Sequence, residues 1–219
     1  MKIQSPFEEK LNALTHAFGA IVGVVNLVLL ILFDSHKTSW SLFSVIVYGF
    51  SIIILFSASA LYHSVTNQDN KQYFRIVDHI SIYLLIAGTY TPVLLITLSQ
   101  SLGRPLFWVV WGIAAFGVIL KLFYTGRFEA FSTVLYLVMG WLIIFDFSNL
   151  SNAIGNGIIF LFAGGLAYTV GIIFYVVHRI PYHYIGRCYL SFFIDFLLCY
   201  LMFIFNHDRV CSSHIQKTL

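Results

Sequence analysis

The stretch Ser59-Ala-Leu-Tyr-His63, followed after a polar link by Asp78-His79, lies between two long apolar runs. Residues 41–62 and 79–103 contain no Asp, Glu, Lys or Arg. Uncharged apolar runs of this length are typical of transmembrane helices. Histidine and aspartate at the ends of such runs are costly in hydrocarbon and are usually retained for function. The pattern therefore predicts membrane helices with a polar site at one end.

The chemistry of this predicted site comes from three side chains. Ser59 and His63 are four residues apart, so on a helix they share one face. Asp78 is predicted to open the next helix and to lie close to His63 if the two helices form a hairpin. A hydroxyl, an imidazole and a carboxylate at one membrane boundary suit a metal site whose ligands are oriented by hydrogen bonds. The alternative is that His63 caps one helix and Asp78 caps the next.

The composition places the whole chain in the membrane class. Of 219 residues, 59% are apolar and 10% are charged, whereas soluble domains carry about 25% charged residues. We expect a single all-α membrane domain over residues 1–219, in the cell membrane, with lipids as partners and no nucleic acid. The cysteines at 188, 199 and 211 predict no disulfide framework, and no cleavable signal is expected. The oligomeric state stays open.

Seven apolar segments predict a seven-helix bundle. The predicted spans cover approximately residues 15–33, 41–62, 76–98, 105–124, 131–147, 157–177 and 184–205. Ser5-Pro6-Phe7-Glu8 predicts a helix start, and residues 1–12 are expected along the interface. Residues 64–75 and 148–156 are predicted to be polar links.

The distribution of basic residues predicts the orientation of the bundle. With seven spans, eight basic residues fall on the N-terminal side: Lys2, Lys10, Lys71, Arg75, Lys121, Arg127, Arg179 and Arg187. Four fall on the other side: Lys37, Arg104, Arg209 and Lys217. This bias predicts a cytoplasmic N-terminus and an external C-terminus. His16, His63 and Asp78 would then reach one depth near the cytoplasm, together with four residues at the start of the seventh span: Tyr182, His183, Tyr184 and Cys188.

Several motifs carry a resemblance to a known family. They are Glu8-Glu9, Asn12 and Thr15-His16; Ser59-Ala-Leu-Tyr-His63-Ser64; the block from Asp78-His79 to Thr91-Pro92; Leu120-Lys121; Tyr136 to Trp141; Ala163-Gly-Gly165; and Pro181-Tyr182-His183. Over roughly residues 8–183 the chain resembles the hemolysin III family, the bacterial members of the progestin and adiponectin receptor (PAQR) superfamily.

The resemblance implies seven helices and a zinc ion near the cytoplasmic face. By the family pattern His63 is a zinc ligand, Asp78 is the partner of the water on the metal, and Ser59 supports the ligands. The pattern also calls for two histidines four residues apart in the seventh span, where this chain has Tyr184 and Cys188. Cys188 could bind zinc as a thiolate, and His183 lies one residue before the expected position. The zinc site would therefore be weakened. The corresponding hypothesis is that the segment after His183 is out of frame relative to the family, or that it has drifted after losing its site.

Three functions follow as alternatives. One is a zinc-dependent hydrolase of a lipid amide or related bond, with Asp78 as general base. The second is a non-enzymatic cytolysin or regulator of membrane state with a degenerate metal site. Such a pore would need a polar path, yet within the predicted spans Asp146 and Asp195 are the only acidic groups well away from the site. The third is a receptor-like role, for which no large extracellular domain is predicted.

Overall fold

The structure, a computed structural model, describes residues 5–34 and 36–176. This part of the chain contains helices and no strands. The main helices are α1 (Pro6–Leu32), α2 (Ser41–Ser64), α3 (Gln68–Pro92), α4 (Gly103–Tyr124), α5 (Glu129–Trp141), α6 (Phe147–Ile154) and α7 (Ile158–Val176). The predicted seventh span, with His183, Tyr184, Cys188 and Asp195, lies outside the described residues.

Helix length and composition identify an integral membrane protein. Among residues 5–34 and 36–176, five helical segments are long and apolar enough to cross a membrane: Pro6–Leu32, Ser41–Ser64, Gln68–Thr97, Gly103–Tyr124 and Glu129–Ile154. Within α7, the stretch Ile158–Ile172 is also apolar but shorter than these five segments. Large apolar side chains such as Trp108 and Phe145 are mostly exposed. Such exposure suits a surface that faces lipid rather than water.

Helix α1 begins where the sequence predicted. The Ser5 hydroxyl accepts a hydrogen bond from the Glu8 backbone N–H, and the Glu8 carboxylate accepts one from the Ser5 N–H, with Pro6 at the first helical position. This reciprocal capping box satisfies two backbone donors that a helix start leaves unpaired. The helix then continues unbroken to Leu32, so residues 6–12 form its first turns.

Helix α3 begins ten residues before Asp78, so the prediction that Asp78 opens this helix is wrong. The Asn67 side chain accepts hydrogen bonds from the N–H groups of Asp69 and Asn70 and caps the helix start. The polar residues 68–75 are helical because a capped helix need not be apolar where it leaves the membrane. Asp78 therefore lies within α3 and is neither a helix cap nor a loop residue.

The predicted fifth span is broken, and the predicted polar link that follows it is mostly helical. Helix α5 ends at Trp141, a 3₁₀ turn covers Leu142–Asp146, and α6 runs over part of the expected loop. The Tyr90 hydroxyl donates to the Gly140 carbonyl at 2.8 Å and accepts from the Ile143 N–H at 3.2 Å. A side chain of α3 thus satisfies backbone groups that the break leaves unpaired.

The core joins α3, α4 and α5. Tyr83, Ala87, Val110 and Met139 are fully buried there. An added Cβ at Gly117 would lie 2.2 Å from the Tyr83 ring, so glycine permits this close approach. Gly88 packs similarly against Ser51.

At the opposite end from His63, a buried carboxylate closes the bundle. Asp146 accepts hydrogen bonds from the Ser101 hydroxyl at 2.5 Å, the Leu102 N–H at 3.1 Å and the Asn149 amide at 2.7 Å. These bonds connect the end of the broken fifth segment to the start of α4. Because its oxygens accept bonds from the protein itself, Asp146 has a structural explanation that requires no polar path through the bundle.

Candidate functional site

A cavity of about 500 Å³ lies among α1, α2, α3, α5 and α7. Its polar lining includes His16, Ser59, Asp78 and Thr133. Each lies within about three turns of the helix end nearest the α2–α3 link, so this lining belongs to one end of the bundle. Much of the remaining wall is apolar, from Leu55, Ile82, Leu85, Ile86, Val93, Ile143, Ile144, Phe147, Leu161, Phe162 and Ile172. Two of the three side chains predicted to form the site, Ser59 and Asp78, therefore share one cavity.

The third predicted side chain, His63, lies in the last turn of α2 and contacts the first helix. Its Nδ1 is 2.7 Å from Oε2 of Glu9. The other Glu9 oxygen, Oε1, is 2.7 Å from Nζ of Lys71 on α3. One carboxylate thus connects α1 to the end of α2 and to the start of α3.

His16 lies between His63 and the cavity. Its ring centroid is 5.9 Å from that of His63 and 5.7 Å from that of Phe56. His16 also lines the cavity beside Ser59 and Asp78. The prediction that His16 reaches the same level as the other polar groups is consistent with these contacts.

A second charged cluster lies at the same end of the bundle, around Glu129. Its Oε2 is 2.6 Å from Nζ of Lys121, a side chain only 2% exposed. Its Oε1 accepts a hydrogen bond from the Gly126 N–H at 2.9 Å and lies 3.5 Å from the Arg75 guanidinium and 3.7 Å from His79 Nδ1. The cluster joins the starts of α3 and α5 to the end of α4.

The described residues supply one predicted zinc ligand, His63, but no complete metal site. Within residues 5–34 and 36–176, no three or more His, Cys, Asp or Glu side chains are grouped so that they could hold a metal ion. The donor chemistry nevertheless fits, because zinc-binding histidines usually donate their second ring nitrogen to a carboxylate, as His63 can donate Nδ1 to Glu9. The other predicted ligands, His183 and Cys188, lie outside the described residues.

Sequence reasoning gave no role to Glu9, Lys71 or Glu129 at this site. Glu9 appeared only within a motif, and Lys71 and Arg75 only as basic residues that set the orientation. The sequence signal for the role of Glu9 was its position just before the first predicted span, on the same predicted side of the membrane as His63. It could not be used because many partners were possible from sequence alone.

The comparison with known families decides the wider assignment. A sequence model described as "Haemolysin-III related" matches residues 4–214, which is nearly the whole chain and extends past the motifs quoted above. The chain belongs to the hemolysin III family.

Relatives of this hemolysin III protein occur in bacteria and in mammals. The chain is 42% identical over 179 residues to "Hemolysin-3 homolog" of Bacillus subtilis (strain 168), covering 81% of this chain and 84% of the relative. It is 44% identical over 179 residues to "Hemolysin-3" of Bacillus cereus, covering 81% and 82%. It is also 28% identical over 177 residues to human "Monocyte to macrophage differentiation factor", covering 77% and 71%.

Proposed function

We propose that this hemolysin III protein is a zinc-dependent hydrolase of a lipid amide or related bond in the cell membrane. The single observation that carries the proposal is the cavity, which joins Ser59, Asp78 and His16 at one end to a long apolar wall. An apolar pocket with a few convergent polar groups is the usual form of a small-molecule site. Its apolar wall suits an acyl chain, and its polar end suits a head group.

Each candidate site residue has its own proposed role in this reaction. His63 would hold zinc, with Cys188 and His183 as the further ligands that the sequence offers. Zinc, when bound, lowers the pKa of its water toward about 7 and polarises a carbonyl. Asp78 would act as general base by accepting a proton at a carboxylate oxygen. Ser59, which is 5% exposed, would orient the polar groups by hydrogen bonding.

The second candidate is a membrane-acting protein without catalysis, either a cytolysin or a regulator of membrane state. Two observations favour it: the printed names of the Bacillus relatives, and Tyr184 and Cys188 at the positions where the family pattern calls for histidine. Lysis of red cells by purified protein whose cavity residue Asp78 is changed to Asn would support this candidate. Loss of a hydrolytic activity in the same variant would support the first.

The proposal includes seven spans with a cytoplasmic N-terminus and an external C-terminus. Its support is the excess of basic residues on the N-terminal side of the predicted spans. With this orientation, His63, Glu9 and Asp78 belong to the cytoplasmic end of the bundle. We expect a reporter fused after Leu219 to be active only outside the cytoplasm. Activity restricted to the cytoplasm would contradict this orientation.

Zinc content tests the metal part of the proposal. We expect His63→Ala to lose most of the zinc that purifies with the parent protein, because it removes the strongest predicted ligand. The measurement is zinc per protein by mass spectrometry after dialysis of every variant against the same fixed concentration of free zinc, so that a weak site is still occupied. His36→Asn is the matched control: His36 is exposed, pairs with Asp34 and has a φ of +48°, which asparagine tolerates. Equal zinc in His63→Ala and the parent would show that His63 is not the ligand.

A further inference from the structure

The contact that the family pattern leaves without a role is the one between Glu9 and His63. Glu9 bridges two side chains from different helices, with 2.7 Å from Oε2 to His63 Nδ1 and 2.7 Å from Oε1 to Lys71 Nζ. All three side chains are largely shielded, with exposed fractions of 21% for Glu9, 11% for His63 and 23% for Lys71. Shielding of this degree strengthens a charged hydrogen bond relative to the same bond in water.

Local capping fixes both ends of this bridge. The Ser5–Glu8 capping box sets the start of α1 and therefore the position of Glu9 in its first turns. The Asn67 cap sets the start of α3 and the position of Lys71, whose backbone N–H bonds to the Asn67 carbonyl at 2.9 Å. Because both helix starts are held independently of His63, the carboxylate is already in place for the imidazole. Lys71 also lies 5.3 Å above the Tyr62 ring, the residue before His63.

The chemistry of this pair determines which ring nitrogen is a donor. A carboxylate accepts hydrogen bonds and cannot donate them when ionised, so the proton of the bond belongs to Nδ1 of His63. In a neutral imidazole that carries its proton on Nδ1, the lone pair is on Nε2. The hydrogen bond at one nitrogen thus decides which nitrogen can bind a metal.

We propose that Glu9, anchored by Lys71, is a positioning residue that fixes His63 with its proton on Nδ1 and presents Nε2 as the ligand atom. The inference rests on the proposed zinc site for its purpose, but the orientation of His63 exists without the metal. Glu9 acts through His63 and does not itself bind the metal.

The orientation is tested first without metal. The full chain is labelled with ¹⁵N-histidine, stripped of metal with a chelator and placed in detergent micelles, and His63 is assigned by comparison with His63→Gln. We expect Nδ1 to carry the proton in the parent. In Glu9→Ala we expect the signal to move to that of exchanging tautomers, and in Glu9→Gln to move part of the way, because the amide oxygen still accepts a bond. An unchanged His63 signal in Glu9→Ala would overturn the inference.

The matched control is Glu8→Gln. It removes the same charge one residue away, and glutamine still completes the capping box with Ser5. We expect no change in the His63 signal. If Glu9→Ala does not fold, Lys71→Met serves in its place: it keeps the carboxylate but removes its anchor, and a mixed tautomer signal is expected. A His63 signal equal to the parent in Lys71→Met would show that the anchor has no role.

Zinc affinity, measured by competition with a chelator, separates this inference from the proposed function. Loss of a hydrogen-bond partner of a zinc ligand typically costs about 10- to 100-fold in affinity, and we expect that loss in Glu9→Ala. If the parent binds no zinc but its tautomer depends on Glu9, the proposed function fails while the orienting role stands. If the parent and Glu9→Ala bind zinc with the same affinity and the His63 tautomer is the same in both, the proposed function stands and the role of Glu9 is wrong.

Discussion

Glu129→Ala is expected to lower the free energy of unfolding by about 3–5 kcal/mol, which is the usual cost of breaking a buried ion pair from one side. The reason is Lys121, whose side chain is 2% exposed and whose Nζ lies 2.6 Å from the Glu129 carboxylate. Removing that carboxylate leaves the buried ammonium group without its close anion, in a cluster that still holds the Arg75 guanidinium. The measurement is unfolding in detergent micelles titrated with SDS, followed by far-UV circular dichroism.

Two comparisons make this result specific. Asp69→Ala removes an exposed acidic residue from the first turn of α3, where a carboxylate typically contributes about 0.3–1 kcal/mol, and should have a small effect. Adding Lys121→Met to Glu129→Ala should recover much of the lost stability, because the double variant no longer buries a charge that lacks its anion. A double variant that is less stable than Glu129→Ala alone would contradict this explanation.

The second large effect is expected at the seventh predicted span. Changing Tyr184→His together with Cys188→His is expected to raise zinc affinity by more than about 100-fold, since losing a ligand weakens binding more than losing a partner of a ligand does. Positions four apart share one face of a helix, so the two imidazoles would complete the family pattern with His63. The parent chain, which lacks these two histidines, is correspondingly expected to bind zinc more weakly than the double variant and to be the slower hydrolase.

The measurement is zinc affinity by chelator competition, with unfolding in SDS as the test that each variant remains folded. Changing Gly186→His together with Leu190→His provides the control, because it adds the same two imidazoles at the same spacing on a different face of the predicted helix. Equal gains in the two double variants would point to non-specific binding. A folded Tyr184→His and Cys188→His variant with no gain would show that the family pattern does not carry over to these positions.

The outcomes for individual elements show how far sequence reasoning reached. The start of α1 was predicted correctly because a capping box is a signal between residues three apart. The start of α3 was placed too late because the polar residues 64–75 were interpreted as a loop, although the sequence contains Asn67, which caps the helix. The break after Trp141 was missed because the group that stabilises it, the Tyr90 hydroxyl, is 50 residues away from Gly140.

The sequence by itself determined that this is an all-helical integral membrane protein of the hemolysin III family, with Ser59, His63 and Asp78 as its candidate site. Apolar run length, helix capping and family motifs are properties of neighbouring residues, so one chain is enough to detect them. Only the tertiary structure decided that Glu9 contacts His63 across 54 positions and Lys71 across 62, and that Glu129 pairs with basic side chains from two other helices. Each carboxylate could have paired with any nearby cation, and the packing of the helices selects among them.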